Sequence, residues 1–280
     1  MPASAKHSAF GESDEPLLKW VLRFGVAACF IGHGMLGLRL TAAWTSYFAV
    51  VGIGPNAAVS LMPWVGAFDV AMGLSVLIYP VRAVIAYMVL WALWTALLRP
   101  LAGEPFWEAI ERAGNFGAPL ALCMLFGRDG EESAWFGARL RDTLDETQRC
   151  RIGWVLRLTT VLLLLGHGAL NWIVQKPVFR TQYCMIGLPG AAAEPWIGGF
   201  EWLLALAVLL ARNRCLLLGV VAWKLASEAL CPIAGSPGWV FVEHGGSYAA
   251  PLALAFLSSK SRPIATRHDP VPDRLFKPVS

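Results

Sequence analysis

The sequence predicts an all-α, polytopic membrane protein with eight transmembrane helices in two parallel four-helix repeats. Of its 280 residues, 56% are hydrophobic and only 15% are charged. Apolar runs of about 20 residues, the length that crosses roughly 30 Å of hydrocarbon, recur along the chain. A Trp-Val-Leu-Arg stretch followed by Gly-His-Gly occurs twice at the same spacing, with its histidine at His33 and again at His167. Such self-similarity over most of a chain indicates an internal duplication.

The apolar runs divide the chain into five segments, and the first run is interpreted as a retained span because no small-residue cleavage site follows it. The segments are a cytoplasmic N-terminal segment (1–16), a first membrane repeat (17–126), a charged linker (127–152), a second repeat (153–258) and a disordered, charged and proline-containing tail (259–280). The eight spans are predicted at 17–40, 57–79, 81–98, 105–126, 153–175, 195–211, 213–230 and 237–258.

The distribution of Lys and Arg predicts the orientation of the spans. Most of the 23 basic residues fall on one side if both termini and the even-numbered connections share that side. The positive-inside rule then places both termini in the cytoplasm of a cell whose inner membrane holds the protein. Because topology accounts for these charges, we expect the lipid bilayer, and no nucleic acid, as their partner.

Each repeat is predicted to carry ionisable residues in one layer in the outer half of the membrane. His33 follows Lys19 by 14 residues, which is about 21 Å of helix, and His167 follows by the repeat. The inward-running helices are expected to begin with proline, and an acid follows each proline at about 9 Å of depth. The pairs are Pro63 with Asp69, Pro105 with Glu111, Pro195 with Glu201, and Pro237 with Glu243.

Polar and aromatic residues at matching positions of the two repeats complete the candidate site. We predict proton exchange or ligand roles for His33, His167, Asp69, Glu111, Glu201 and Glu243, and cofactor binding for Trp91, Trp223, Thr95, Ser227, Asn115 and Ser247. Ionisable residues within membrane spans are functional-site candidates by default. The structural alternative is that these groups only hydrogen-bond to one another and fix the register of the helices.

Three kinds of ligand suit this layer, and the cofactor stays open among them. A histidine with two carboxylates suits a non-haem metal such as iron, manganese or zinc. His33 and His167 could be metal ligands or paired axial ligands of a haem, which requires the two repeats to face each other in one bundle rather than lie side by side. The acids and histidines could also exchange protons with a quinol or a transported solute.

Smaller signals concern neighbouring residues and cysteines. Glu108 is positioned to pair with Arg112, and Glu228 with Lys224, because each pair lies four residues apart on a helix. Prolines in the fourth and eighth spans predict kinks there. Cys184 and Cys231 are candidates for a disulfide on the outer side of the membrane.

One stretch resembles a known family. Glu111 to Pro119 reads Glu-Arg-Ala-Gly-Asn-Phe-Gly-Ala-Pro and, with the glycine-rich first helix and the acid of the second, is similar to the DoxX/DoxD-type membrane proteins. The second copy, Glu243 to Pro251, matches less well because Ser247 replaces Asn115. The resemblance implies a tandem duplication of a four-helix integral membrane unit. In some members that unit is part of a thiosulfate:quinone oxidoreductase, but no thiosulfate-specific feature is present.

The leading functional hypothesis is therefore a membrane redox component that binds quinone, haem or a metal and works with another membrane or periplasmic redox subunit. A small-solute transporter that uses the same layer is the first alternative. The sequence predicts no helix that is interrupted in the middle of the membrane, and this counts against transport. A structural or assembly partner, whose buried polar layer only specifies packing, is the second alternative.

Overall fold

The computed structural model describes residues 14–127, 133–137, 140–141 and 143–258. Most of the predicted N-terminal segment, part of the linker and the whole tail lie outside these residues. Within the described residues the chain is helical, with turns and one isolated bridge between Phe126 and Leu140. The helices are α1 (Asp14–Leu38), α2 (Trp44–Val50), α3 (Pro55–Ile78), α4 (Arg82–Leu101), α5 (Trp107–Glu111), α6 (Ala113–Cys123), α7 (Ser133–Phe136), α8 (Glu146–Ala169), α9 (Pro177–Met185), α10 (Gly190–Leu210), α11 (Arg214–Ile233), α12 (Gly238–Glu243) and α13 (Gly245–Ser258).

Six of these helices are long and apolar enough to cross a membrane: α1, α3, α4, α8, α10 and α11. Their outer faces carry large apolar side chains that no other part of the described chain covers. Trp64 and Trp196, for example, are 75% and 81% exposed, and Ile78 is 80% exposed. Water disfavours apolar surface of this extent, whereas lipid does not. The all-helical, multi-pass membrane prediction is therefore confirmed in this form.

The regions predicted as the fourth and eighth spans are interrupted helices. The first is split into α5 and α6 at Arg112, and the second into α12 and α13 at His244. Both residues have φ −81° and ψ 14°, a conformation that does not continue an α-helix. The expectation of uninterrupted helices was wrong, and the interruptions precede Pro119 and Pro251, where kinks were expected. A polar residue followed by small residues lets the chain turn at these points.

Two of the helices that were predicted to run inward begin earlier than predicted. Helix α3 starts at Pro55 and α10 at Gly190, so Pro63 and Pro195 lie inside these helices rather than at their first positions. Helix α5 starts at Trp107, and of the four prolines predicted to start helices only Pro237 directly precedes one. The depth argument was therefore wrong about where these helices start. For α3 the proline at the first helical position is Pro55, which lies N-terminal to Pro63.

The helices form one bundle in which the two halves of the chain interlock. Helix α1 packs on α3 of its own half and on α12 and α13 of the second half, while α8 packs on α10 and on α5, α6 and α13. The Gly-His-Gly stretches make these crossings close. A Cβ on Gly32 would lie 2.6 Å from Glu243 Cα, and one on Gly166 would lie 2.5 Å from Glu111 Cα. Only glycine permits this approach of backbone to backbone.

The arginines of the Trp-Val-Leu-Arg stretches bind the C-terminal ends of α3 and α10, the helices that carry Asp69 and Glu201. Arg23 donates to the Val76 carbonyl at 2.9 Å and also to that of Leu77, near the end of α3. Arg157 donates to the Ala211 carbonyl at 2.8 Å, just after α10. The last carbonyls of a helix have no partner within the helix, so these guanidinium groups satisfy them.

Candidate functional site

Each histidine of the Gly-His-Gly stretches is paired with one of the two acids predicted to share its layer. His33 Nδ1 lies 2.7 Å from Asp69 Oδ2, and His167 Nδ1 lies 2.6 Å from Glu201 Oε2. Both acids are fully buried. A carboxylate on Nδ1 fixes the ring and its tautomer, which leaves Nε2 available to a ligand or a proton. In each half a short helix covers this ring: the Trp44 ring of α2 lies 4.6 Å from His33, and Phe179 of α9 covers His167.

The aromatic cavity beside His33 has a volume of about 260 Å³. Most of its wall is apolar and aromatic, and its polar end is formed by Arg99, Arg112 and Glu243. The wall residues are Trp44, Tyr47, Phe48, Val51, Ile53, Val65, Trp91, Trp94, Thr95 and Leu98. A wall of flat rings with a few charged groups at one end suits an aromatic ligand with polar substituents.

The charged cavity beside His167 has a volume of about 180 Å³ and a different chemistry. Four ionisable residues of the interrupted helices, Glu108, Glu111, Arg112 and His244, meet Lys176 and Glu228 there. The remaining wall residues are Leu170, Val178, Phe179, Gln182, Cys231, Ser236 and Val240. Arg112 borders both cavities. His33 and His167 thus line separate cavities, and the structure does not bring them together as axial ligands of one haem.

Each acid on an interrupted helix lines the cavity of the histidine from the other half of the chain. Glu243 of the second half lines the aromatic cavity of His33, and Glu111 of the first half lines the charged cavity of His167. This exchange of acids between the halves follows from the close crossings at Gly32 and Gly166, which bring each histidine helix against the interrupted helix of the other half. The sequence pattern placed two acids with each histidine but assigned the second acid to the same repeat.

The predicted tryptophans have different surroundings in the two halves. Trp223 Nε1 donates to Glu201 Oε1 at 2.9 Å, so Glu201 binds both His167 and an indole. Trp91 lines the aromatic cavity, and its Nε1 is buried and has no hydrogen-bond partner among the described residues, as is also true of Asp69 Oδ1. The aspartate side chain is one methylene shorter than that of the glutamate, which explains why the same bond is absent.

The remaining predicted binding residues are satisfied locally or lie in the helix crossing. The hydroxyls of Thr95 and Ser227 donate to carbonyls of their own helices, at 3.0 and 3.2 Å. Thr95 also lines the aromatic cavity. Asn115 and Ser247 are buried where α6 crosses α13, and neither is among the residues that line the two cavities. Gly114 brings these backbones together, because a Cβ there would lie 2.7 Å from the Ser247 nitrogen.

Ion pairs connect the charged cavity to the interrupted helices. Glu108 accepts from Arg112 at 3.2 Å, as the sequence predicted, and from Lys176 at 2.6 Å. The predicted pair of Lys224 with Glu228 is also confirmed at 2.6 Å, and both side chains are almost fully buried. Charges at this depth are stable only when they are paired, so each member constrains its partner.

Several residues around His167 were not predicted. Asn171 donates to the His167 carbonyl at 3.1 Å, and Tyr183 donates to Asn171 Oδ1 at 2.5 Å. Burial, followed by the charge of Glu201, raises the pKa of Tyr183, so its hydroxyl stays a donor. After α8 the chain continues as a π-helical turn, Leu170–Val174, a feature frequent at functional sites. The spacing of Asn171 from His167 by one helical turn was the available sequence signal.

A clasp of Tyr47, Arg99 and Glu104 borders the aromatic cavity, which Tyr47 and Arg99 line. In this α2 clasp, the Tyr47 hydroxyl donates to Glu104 and Arg99 binds Glu104 at 3.1 Å. Burial raises the pKa of Tyr47 to about 12. Burial alone would raise the pKa of Glu104, but the hydrogen bond from Tyr47 and the charge of Arg99 lower it. Between these two pKa values the neutral Tyr47 hydroxyl donates a hydrogen bond to the ionised Glu104 carboxylate.

The described cysteines are all free. Cys231 is buried and accepts from Gln182 Nε2 at 3.2 Å, whereas Cys184 is exposed. The structure therefore gives no support to the disulfide considered between them.

One group of side chains has the composition of a metal site. Candidate ligand atoms of Glu111, Glu228 and His244, all in the charged cavity, lie within 4.8 Å of one another. Neither His33 nor His167, the predicted metal ligands, belongs to a group of this kind within the described residues. In comparisons with known proteins, no family model, no curated protein and no solved structure matches this chain.

Proposed function

We propose that this chain is a membrane redox component that binds a quinol ring in the aromatic cavity and accepts its protons. The observation that carries the proposal is His33, held by Asp69 at 2.7 Å, in the wall of a cavity lined by tryptophan, tyrosine and phenylalanine rings. A fixed imidazole beside a flat aromatic slot provides both the base and the platform that quinol oxidation requires.

The size of the aromatic cavity supports a ring rather than a larger ligand. Its volume of about 260 Å³ lies just below the range of roughly 300–1,000 Å³ that holds drug-sized molecules. A substituted quinol ring fits this space, and an isoprenoid tail would extend along the apolar helix faces into the lipid. The unpartnered Trp91 Nε1 would donate to an oxygen of the ring.

The proton balance of the reaction fits the groups in this cavity. Oxidation of a quinol releases two protons and two electrons. His33 Nε2 would take one proton, with Asp69 stabilising the imidazolium, and the Glu243 carboxylate at the polar end would take the other. The two electrons would pass to a redox cofactor of a partner membrane or periplasmic subunit.

We further propose that the interrupted helices complete eight crossings in two parallel repeats. Helices α5 and α6 together, like α12 and α13, are long enough to traverse most of a bilayer at 1.5 Å per residue. The matching conformations of Arg112 and His244 and the matching His–acid pairs support the duplication. The DoxX-like resemblance, the inner membrane and cytoplasmic termini belong to the same proposal and rest on the sequence motifs and the basic residues.

The test is a calorimetric titration of the detergent-purified chain with a short-chain benzoquinol kept reduced. His33→Gln removes the base, and His167→Gln is the matched control, because His167 has the same carboxylate pairing but lies in the other cavity. We expect saturable binding with one site per chain, weakened at least tenfold in His33→Gln. Tenfold is about 1.4 kcal/mol, which lies within the cost of about 1–3 kcal/mol for leaving one buried hydroxyl donor of the quinol without its acceptor.

Two results would contradict the proposal. Absence of saturable binding would show that quinol is not a ligand of this chain. Equal weakening in the two histidine variants would show that quinol binds outside the aromatic cavity. Melting temperatures recorded for both variants distinguish loss of a ligand contact from loss of the fold.

One observation favours a second candidate, a small-solute transporter. Interrupted helices whose ends face a polar cavity are the usual construction of transporter substrate sites, and both interruptions here border the cavities. Proton uptake into liposomes, driven by an added solute and lost in Glu243→Gln, would support transport over quinol oxidation.

A further inference from the structure

We infer that the charged cavity binds a divalent transition-metal ion between Glu111, Glu228 and His244. These side chains come from three different helices or helix ends: α5, α11 and the interruption before α13. The two glutamates are 5% and 3% exposed. One ligand atom from each of the three residues can be chosen so that all lie within 4.8 Å of one another.

The orientation of His244 supports a ligand role. Its Nδ1 lies 2.7 Å from the Val240 carbonyl, which can only accept, so the ring carries its proton on Nδ1. Nε2 is therefore the ring nitrogen that can bind a metal once it has no proton, and it lies 3.4 Å from Glu111 Oε1. A histidine whose other nitrogen donates to a backbone carbonyl is the common arrangement of protein metal ligands.

Each carboxylate is held by a cation on one oxygen, and its second oxygen lies beside the His244 ring, that of Glu111 nearest Nε2 and that of Glu228 nearest Nδ1. Arg112 lies 2.9 Å from Glu111 Oε2, which leaves Oε1 toward the histidine. Lys224 lies 2.6 Å from Glu228 Oε1, while Glu228 Oε2 lies 3.6 Å from His244 Nδ1. These outer contacts orient the inner oxygens in the way that supporting residues orient metal ligands.

The donor set restricts the kind of ion. One imidazole nitrogen and two carboxylate oxygens suit Mn²⁺, Fe²⁺ or Zn²⁺, and the absence of sulfur ligands from the three residues disfavours Cu⁺. Three protein ligands leave coordination positions for water, and the cavity of about 180 Å³ has room for it.

The site has no equivalent in the first half of the chain. By the sequence correspondence of the halves, Ala96 and Arg112 occupy the positions of Glu228 and His244. These two corresponding positions therefore carry metal-ligand side chains in the second half only. This inference does not depend on quinol binding.

The experiment uses the full chain, treated with chelator in detergent, dialysed against Mn²⁺ and analysed for metal per chain. We expect one Mn²⁺ per chain, with affinity at least tenfold lower in Glu228→Gln and His244→Gln. Glu194→Gln is the matched control, because Glu194 is also a buried, ion-paired glutamate but binds Arg180 outside the cavity. It should retain the ion.

A spectroscopic measurement on the wild-type chain keeps the inference testable if the variants misfold. Pulsed electron paramagnetic resonance of bound Mn²⁺ should show coupling to one nitrogen, that of His244. A proton on His244, bridging the two carboxylates in place of a metal, is the competing explanation. Absence of stoichiometric Mn²⁺, absence of nitrogen coupling, or full metal retention in His244→Gln would overturn the inference.

Discussion

The close crossing of α8 and α5 predicts a large effect of one methyl group. In Gly166→Ala the new Cβ would lie 2.5 Å from Glu111 Cα and 2.7 Å from the Ile110 carbonyl carbon. Carbon atoms pack at about 3.5–4.0 Å, so the two helices have to separate by roughly 1 Å. Overpacking of this kind costs about 1–3 kcal/mol.

Gly153→Ala in the same helix is the control. A Cβ at Gly153 would have no atom within 4 Å, so this variant keeps only the gain in helix propensity, about 1 kcal/mol. Gly166→Ala has the same gain and the overpacking cost. The difference in unfolding free energy between the two variants should therefore be about 1–3 kcal/mol, or roughly 2–12 °C in Tm.

The assay is a melt in detergent followed by intrinsic fluorescence, since the chain contains 13 tryptophans. We expect Gly166→Ala to melt below the wild type and Gly153→Ala at or above it. Equal melting temperatures for the two variants would refute the reasoning, because they would show that α8 and α5 do not approach each other in this way.

Three further predictions concern the polar contacts. Trp223→Phe leaves its buried carboxylate partner without an indole donor and should lower stability by about 1–3 kcal/mol, whereas Trp91→Phe loses no protein hydrogen bond and should cost less in paired thermal melts. Lys224→Met leaves the buried Glu228 carboxylate without its cation and should lower the free energy of unfolding by about 3–5 kcal/mol. Neutralising Glu228 in the double variant should recover most of that stability. In the α2 clasp, the lowered pKa of Glu104 gives stability that is present above about pH 4.5 and lost as pH falls further, and the raised pKa of Tyr47 gives stability that is present below pH 10 and lost toward pH 12. The pH profile of Tm for Tyr47→Phe should lack the alkaline loss.

The sequence predicted those parts of the site that depend on helix periodicity and depth. The sequence placed His33 and His167 each in a layer with two acids of the same repeat, and in the structure one acid of each pair, Asp69 or Glu201, contacts the histidine. Burial of an ionisable group demands a partner, and few partners were available at that depth.

The parts that sequence reasoning missed depend on contacts between distant segments or on backbone conformation. Hydropathy does not report φ and ψ, so it could not predict the interruptions at Arg112 and His244. The placement of Glu111 and Glu243 in the opposite halves depends on which faces of the histidine helices the interrupted helices meet. Packing sets that choice, and hydrophobic periodicity alone leaves it open.

The exchange of Glu111 and Glu243 means that neither half of the chain contains a complete cavity. A chain cut within the linker would give two fragments, each with a histidine whose second acid lies on the other fragment. A separate four-helix unit with these motifs could complete its cavity only by pairing with a second copy across a two-fold axis. The functional unit of such a protein would be a dimer, whereas here a single polypeptide supplies both sides of each cavity.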